Sequence, residues 1–169
     1  MPRPYSPLAF ANEFIAKSGI GDVVHMKLQK LVYISYGWWL AEHNFGILNE
    51  APEVWKHGPV FQSLYGVLKG FGHSPINTMQ KRFFSVQPER VDDNDTEVCQ
   101  LIDWVWQRYG MYDQFYLSDL THQPDSPWHK TAASFDFRVP FQTEITLAVI
   151  QEHFRSIAQD RGFIGNGAK

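Results

Sequence analysis

The sequence has one cysteine, no long apolar run and no surplus of basic residues. Because Cys99 is the single cysteine, an intramolecular disulfide and a zinc site built on paired cysteines are both excluded, and a reducing compartment fits this usage. No apolar run approaches the roughly 18 residues of a membrane span, and the N-terminus has no charged leader followed by an apolar segment. We therefore expect a cytoplasmic protein with no membrane partner.

Acidic side chains outnumber basic ones by 18 to 15, which gives a formal net charge of −3. Such a charge offers no general attraction for phosphate backbones or anionic lipid, and it argues against a nucleic-acid partner. Residues 1–90 carry nine basic and six acidic side chains, whereas residues 91–169 carry six and twelve. An incidentally acidic surface explains this asymmetry most simply. The alternative is that the second half steers a basic partner.

Aromatic residues are abundant, since 13 Phe, 7 Tyr and 6 Trp make up 15% of the 169 residues. A hydrophobic content of 44% and a charged content of 20% are ordinary for a globular protein. The length matches one domain, and no repeat or linker divides the chain. The sequence thus predicts a single domain over residues 1–169, whose large side chains are packed in a core or presented to partners.

Helical spacing of apolar residues predicts a first helix that begins after Ser6, a capping residue followed by proline, and ends at Gly19. The second helix, about Met26–Asn44, carries apolar residues on nearly every side, which is typical of the buried centre of a helical domain. A loop with a short strand at Glu53–Lys56 follows. A third helix is predicted to begin at Pro59.

Residues 73–93 contain the stretch KRFFSVQ, and we predict there a second strand that pairs with the first as a small hairpin. The acidic stretch DDNDTEVCQLIDWVWQRYG predicts a fourth helix, and shorter helices are predicted at Asp113–Thr121 and after Pro127. The last helix is predicted from about Phe141 to Gln159, followed by a frayed tail at 162–169. The predicted fold class is therefore mainly α, one compact helical domain with a small β element between helices.

The sequence contains no assembled catalytic or metal-binding motif. Its seven histidines include no His-x-x-x-His pair, and no serine lies in a Gly-x-Ser-x-Gly elbow. Cys99 lies on an amphipathic helix, where a small buried hydrophobe is the expected role, because a nucleophile would need a base and an electropositive cleft. The sequence thus predicts a protein that is not an enzyme and that uses no metal or cofactor.

Two lysines, Lys27 and Lys30, lie on the helix that is expected to be buried. A lysine on an apolar helix must reach the surface or find a carboxylate or carbonyl, and a separation of three residues puts this pair about 60° apart around the helix. Structural ion pairing in the first helical turn is the simpler interpretation. The alternative is a pair that flanks a partner-binding groove.

Two further segments place aromatic residues beside histidines. In VWKHGPV, Trp55 and His57 precede a glycine and a proline at 58–59 that are predicted to turn the chain into the third helix. Either Trp55 only fills the core, or Trp55, His57 and the exposed helix N-terminus form a recognition corner. In THQPDSPW, packing of Trp128 is the simpler interpretation, with His122 nearby in sequence.

Three segments, taken in order, carry a resemblance to a known family. MKLQKLVY, VWKHGPVFQSLY and LSDLTHQPDSPW resemble the Panacea domain, found in SocA-like antitoxins and in phage-associated GepA-like proteins, and the pattern runs from about Leu8 to Trp128. The resemblance implies a mostly helical domain of bacteria, prophages and phages, usually encoded beside a small toxin that it neutralises by direct binding. Some relatives add a separate toxin-specific region. In this chain the C-terminal helix is the candidate for that role.

The resemblance also implies signature positions, which mark either the fold or the binding face. They are Lys27, Lys30, Tyr33, Trp55, Gly58, Pro59, Tyr65 and Trp128, to which the local sequence adds His57 and His122 as candidates for partner binding.

The leading interpretation is an antitoxin-type interaction module whose partner is a cognate small protein toxin, and a refinement is an adaptor that delivers this toxin to a cellular protease. Two alternatives come from other classes. One is a hydrolase built around His57 or His122 with an acidic residue. The other is a nucleic-acid-binding regulator whose cations are Lys27, Lys30, Lys81 and Arg82.

Overall fold

The structure, a computed structural model, describes residues 4–19 and 21–160, so the predicted frayed tail at 162–169 lies outside the described residues. The described part forms seven α-helices and one two-stranded antiparallel sheet, which confirms the mainly α prediction with a small β element. The helices are α1 (Pro7–Lys17), α2 (His25–Glu42), α3 (Gln62–Leu68), α4 (Thr96–Tyr109), α5 (Gln114–Thr121), α6 (Pro127–Ala133) and α7 (Leu147–Asp160). None of the helices described is long and apolar enough to cross a membrane.

Polar side chains cap the start of four helices. Ser6, Asp95, Asp113 and Ser126 each accept a hydrogen bond from a backbone N–H in the first turn of α1, α4, α5 and α6, respectively. Proline at the first position of α1 and α6 is compatible with the helix because the N–H it lacks would have no partner there. The starts of these four helices therefore confirm the sequence prediction.

Helix α2 is the buried centre of the fold, as its all-round apolar pattern predicts. Sixteen of its 18 residues are buried, and α1, α4, α5 and α7 pack around it. Helix α7 packs closely on α2 at Gly37, where a Cβ atom would overlap the ring of Phe154. Because α2 is enclosed on all sides, its two lysines, Lys27 and Lys30, are buried with it.

The small sheet is a hairpin of β1 (Glu53–Trp55) and β2 (Gly58–Val60), whose strands are joined by residues 56–57. The backbone of Gly58 has a φ of 107°, a value that residues with a side chain rarely adopt. This glycine therefore lets the chain reverse within two residues and return along β1.

The hairpin corrects two predictions. The partner of the first strand lies directly after the turn and not within residues 73–93, which form irregular structure. The third helix begins at Gln62 and not at Pro59, since Pro59 is the central residue of β2. A glycine followed by a proline fits a helix start and a tight hairpin equally well in sequence, and packing of this segment on α2 decides for the hairpin.

The last helix begins at Leu147, so the predicted start at Phe141 is wrong. Two backbone hydrogen bonds, of 2.8 and 2.9 Å, join residues 143–145 to residues 52–54 along the outer edge of the hairpin. Gln142 has a φ of 60°, which is incompatible with a right-handed helix. The chain is therefore extended before α7 because this segment completes the hydrogen bonding of β1.

Candidate partner-binding site

Candidate residues from three separate segments meet at the hairpin. Helices α2 and α5 lie against β2, and α6 lies against β1. The candidates that meet here are Lys30, Trp55, His57, Gly58, Pro59, Tyr65, His122 and Trp128. Lys27 and Tyr33, the other two, contact different neighbours of α2.

Lys30 holds β2 from the side of α2. Its side chain is only 1% exposed, and its Nζ donates a hydrogen bond of 2.8 Å to the carbonyl oxygen of Pro59. A Cβ atom on Gly58 would lie 3.0 Å from this Nζ and 3.2 Å from Oγ1 of Thr121, so glycine permits the close approach. Burial lowers the pKa of Lys30 to about 7.

Gln29 fixes the end of the hairpin, and sequence analysis did not single it out. Its Oε1 accepts a hydrogen bond of 2.9 Å from the backbone N–H of Phe61, and its Nε2 donates one of 3.3 Å to the carbonyl oxygen of the same residue. Ser118 was also missed, and its hydroxyl donates to the carbonyl oxygen of His57 at 2.6 Å. Gln29 and Ser118 both lie inside the segments that carry the family resemblance, and this location was the sequence signal that could have identified them.

Trp128 anchors the hairpin from α6. Its indole Nε1 donates a hydrogen bond of 2.8 Å to the carbonyl oxygen of Trp55, and the ring of His122 packs edge-on against it with centroids 5.3 Å apart. Trp55 is half-buried, and its own Nε1 donates to Oε2 of Glu53 at 2.8 Å. On its other side the Trp55 ring packs against Tyr65, with centroids 4.7 Å apart.

An open groove of about 260 Å³ lies between the hairpin, the start of α2 and α3. Trp55 and Tyr65 form its aromatic wall, and no Asp or Glu lines it. We call it the basic groove, because its lining includes His25, Lys30, Lys56, His57, Lys69 and His73. Since Lys56, His57, Lys69 and His73 are exposed, most of these cationic or ionisable groups are accessible to a partner.

His25, at the inner end of the basic groove, is uncharged at neutral pH. Burial, with a smaller contribution from the positive charge of Lys30, lowers the pKa of His25 to about 4. Its Nε2 lies 3.2 Å from Nε2 of Gln29, and because an amide nitrogen only donates, the histidine nitrogen is the acceptor. His25 therefore contributes a polar wall to the basic groove and not a charge.

Lys27 and Lys30 do not form the pair that sequence analysis considered, either as structural ion pairs or as a pair facing a partner. Lys27 Nζ donates to the carbonyl oxygen of Gly110 at the C-terminus of α4 and lies 5.5 Å from the ring centroid of Trp106. A cation is favourable at a helix C-terminus because of the helix dipole. The angle between the two lysines around α2 sends one to α4 and the other to the hairpin.

Tyr33 packs against α7 and does not line the basic groove. Its ring packs edge-on against Phe154, with centroids 6.0 Å apart, and its hydroxyl is buried without a hydrogen-bond partner in the described residues. Burial raises the pKa of this hydroxyl. Tyr33 is therefore a residue of the core and is not accessible to a partner.

The two alternatives from other classes lose support. Lys27 and Lys30 are 5% and 1% exposed, so two of the four cations considered for nucleic-acid binding cannot reach a phosphate. Neither His57 nor His122 has a carboxylate within 4.0 Å among residues 4–19 and 21–160.

Cys99 is half-buried, not fully buried as predicted, and partial burial raises the pKa of its thiol.

Comparison with known proteins identifies the same family that the three sequence segments resemble. A family model described as Antitoxin SocA-like, Panacea domain, matches residues 28–129, which include nine of the ten candidate residues. Antitoxin SocA of Caulobacter vibrioides (strain NA1000 / CB15N) is 26% identical to the chain over 163 residues, which are 91% of this chain and 85% of that protein. No solved structure matches the chain significantly. Because the family model covers more than half of the sequence, the chain belongs to the SocA-like antitoxin family of Panacea domain proteins.

Proposed function

We propose that this protein is a cytoplasmic antitoxin that neutralises a cognate small protein toxin by direct binding, with the basic groove and the hairpin turn as its binding surface. Membership of the SocA-like antitoxin family supports the antitoxin role. The observation that carries the choice of surface is that eight candidate residues from three distant segments meet at the hairpin.

The hairpin is suited to binding because it is held in place before a partner arrives. Lys30, Ser118 and Trp128 donate hydrogen bonds to three backbone carbonyl oxygens of the segment 55–59. A surface that is already ordered loses little conformational entropy on binding, so more of the interaction energy is left for affinity. A surface of this kind favours neutralisation by occlusion of the toxin.

Catalysis is not part of the proposal. The family is named for antitoxins, which favours a non-catalytic role. The ionisable groups that line the basic groove are lysines, histidines and Tyr65, and no carboxylate that could orient a histidine as a base is among the lining residues. Such a set of groups can bind and position a partner.

Co-expression with the small protein encoded beside this gene tests the proposed function. We expect the neighbouring protein to arrest bacterial growth, this chain to relieve the arrest, and the two purified proteins to form a stable complex. Relief of the arrest with a falling toxin level, dependent on an active cellular protease, would favour the adaptor mechanism instead of occlusion. No relief and no complex would contradict the antitoxin function itself.

Two matched substitutions test the surface. Tyr65→Ala removes an aromatic side chain of the basic groove that is 38% exposed, and Tyr116→Ala removes one on α5 that is 49% exposed. The Tyr65 ring packs on Trp55 and His25, and the Tyr116 ring packs on Tyr112. We expect Tyr65→Ala to weaken toxin binding about tenfold or more, as interface aromatic residues commonly do, and Tyr116→Ala to leave it unchanged. Equal effects would place the binding surface elsewhere.

A further inference from the structure

The basic groove concentrates positive charge in a protein that is acidic as a whole. Three of the eight lysines in the sequence line this one groove, together with His57, His73 and the uncharged His25, while the formal net charge is −3. The lining residues come from three stretches of chain, 25–30, 55–60 and 65–73. Such a local concentration of one sign of charge raises the local concentration of ligands of the opposite sign.

The lysines of the basic groove are not neutralised by the protein itself. Within the described residues, no carboxylate lies within 4.0 Å of Nζ of Lys30, Lys56 or Lys69. Three other cations of the described residues do have such a partner, in the ion pairs of Lys17 with Asp103, Arg82 with Glu89 and Arg90 with Glu13. Among the described residues, these lysines therefore have no carboxylate in ion-pair contact, which leaves the two exposed ones available to an anionic partner.

Among these lysines, Lys30 is the one whose ammonium group is buried without a carboxylate partner in the described residues. Its ammonium group has three donors, and the acceptor that the described structure supplies is the carbonyl oxygen of Pro59. Lysines are almost never fully buried unless they are paired, because an unpaired buried charge is costly. A carboxylate that enters the groove would stabilise the charged form of Lys30.

The size and walls of the groove indicate what kind of anion fits. A volume of about 260 Å³ falls below the roughly 300–1,000 Å³ of sites for whole small molecules, so it suits one or two side chains. Trp55 and Tyr65 supply an apolar wall against which the carbon atoms of such a side chain can pack. A short peptide segment meets both conditions.

A nucleic acid fits the groove less well than a peptide. Duplex binding needs cations spread along several phosphates, and this cluster is confined to one compact groove. Residues 91–169 carry twelve acidic and six basic side chains, which would repel a long polyanion that extends past the groove.

We propose that the basic groove is the receptor for an acidic side chain, Asp or Glu, on an exposed segment of the partner toxin. This inference rests on the proposed function. The carboxylate lies between Lys56 and Lys69 at the entrance, and Lys30, buried behind the entrance, attracts it without direct contact. Trp55 and Tyr65 pack against the rest of the segment.

A double charge reversal tests this proposal with the neighbouring small protein as the binding partner. Lys56→Glu/Lys69→Glu changes two exposed lysines, so the variant is expected to fold and melt like the wild type. We expect its affinity for the toxin to fall by about tenfold or more at low salt, because two charges that attract the carboxylate become charges that repel it. A tenfold change corresponds to about 1.4 kcal/mol of binding free energy. The matched control, Lys81→Glu/Arg138→Glu, changes the net charge equally at two exposed residues that do not line the groove, and it should bind like the wild type.

The outcomes separate the two proposals. If Lys56→Glu/Lys69→Glu binds the toxin as tightly as the wild type does, the acidic-segment proposal is overturned, and the antitoxin function remains intact. Equal weakening by the control variant also overturns it, because the effect would then be general electrostatics. If one Asp→Lys or Glu→Lys substitution in the toxin restores its binding to Lys56→Glu/Lys69→Glu, this result would support the proposal directly.

A peptide titration tests the groove without the toxin. Hexaglutamate added to the isotopically labelled protein at about 5 mM should shift the indole N–H resonance of Trp55, whereas hexaglutamine should not. The shift should be absent in Lys56→Glu/Lys69→Glu. No shift in the wild type, or a groove-dependent shift produced by a short DNA duplex and not by hexaglutamate, would overturn the proposal.

Discussion

The indole Nε1 of Trp128 donates a hydrogen bond of 2.8 Å to the backbone carbonyl oxygen of Trp55, and this bond joins residues 73 positions apart in the sequence. It connects the first residues of α6 to the last residue of β1. The family resemblance places both tryptophans at signature positions, and the structure gives them a shared physical role. Trp128 holds in place the strand β1, which carries Trp55.

Replacement of this indole should affect both stability and binding. Trp128→Phe keeps a ring but removes the donor, and we expect the free energy of unfolding to fall by about 1–2 kcal/mol because a backbone carbonyl loses its partner. We also expect weaker toxin binding, since the hairpin would be less firmly positioned. Urea denaturation and calorimetric titration measure the two effects.

Trp39→Phe is the matched control for this prediction. Its Nε1 donates a comparable bond of 3.0 Å to the carbonyl oxygen of Phe45, away from the hairpin. We expect a similar loss of stability with unchanged toxin affinity. If both variants reduce affinity equally, the position of the hairpin does not determine binding.

Lys30 should make stability depend on pH in a direction opposite to that of most buried acids. Its pKa is about 7 in the folded protein and near 10.5 when unfolded. Between these values the unfolded chain binds a proton that the folded chain does not, so the free energy of unfolding rises with pH. The maximum slope is about 1.4 kcal/mol per pH unit.

Comparison with Lys30→Met isolates this contribution. We expect the wild type to gain about 2 kcal/mol relative to Lys30→Met between roughly pH 7.5 and 9.5, measured by urea denaturation at a series of pH values. Tyr33, whose pKa is raised by burial, opposes this trend only at higher pH. Parallel pH profiles for wild type and variant would show that Lys30 keeps its charge in the folded state.

Sequence patterns predicted the helices well because their signals are local. A capping side chain acts on N–H groups two or three residues away, as Ser6, Asp95 and Ser126 do, so a short window of sequence contains the whole interaction. The burial of α2 was also predictable, since apolar residues occur on all its faces.

The hairpin and the basic groove were not predictable in the same way because they depend on tertiary packing. Pro59 lies in a strand owing to contacts of this segment with α2 and α5, which no local pattern encodes. Lys30, Lys56 and Lys69 are far apart in sequence and line one groove only after α2, the hairpin and α3 have packed together. The sequence pattern singled out Lys30 and His57 as candidates, but not Lys56, which lies beside His57, or Lys69.

Gly58→Ala tests why this position is glycine. The new side chain would face a φ of 107° as well as close contacts with Lys30 and Thr121, so we expect a loss of about 1–3 kcal/mol in the free energy of unfolding. Gly72→Ala is the control, because Gly72 also has a positive φ, of 56°, but no atom lies within 4 Å of a built Cβ. A smaller loss at Gly58 than at Gly72 would contradict the role assigned to this close approach.

The contact of α2 with α7 gives the last prediction, at Gly37. Alanine favours a helix over glycine by about 1 kcal/mol, yet we expect Gly37→Ala to destabilise the protein by about 1–3 kcal/mol, because its Cβ would overlap the ring of Phe154. Gly66→Ala, in α3, meets no atom within 4 Å and should instead stabilise by about 0.5–1 kcal/mol. Shortening the neighbour, as in Gly37→Ala/Phe154→Leu, should recover part of the loss, so the two substitutions should be less destabilising together than their separate effects predict. Strict additivity in thermal and urea unfolding would mean that α7 does not pack on α2 through this pair.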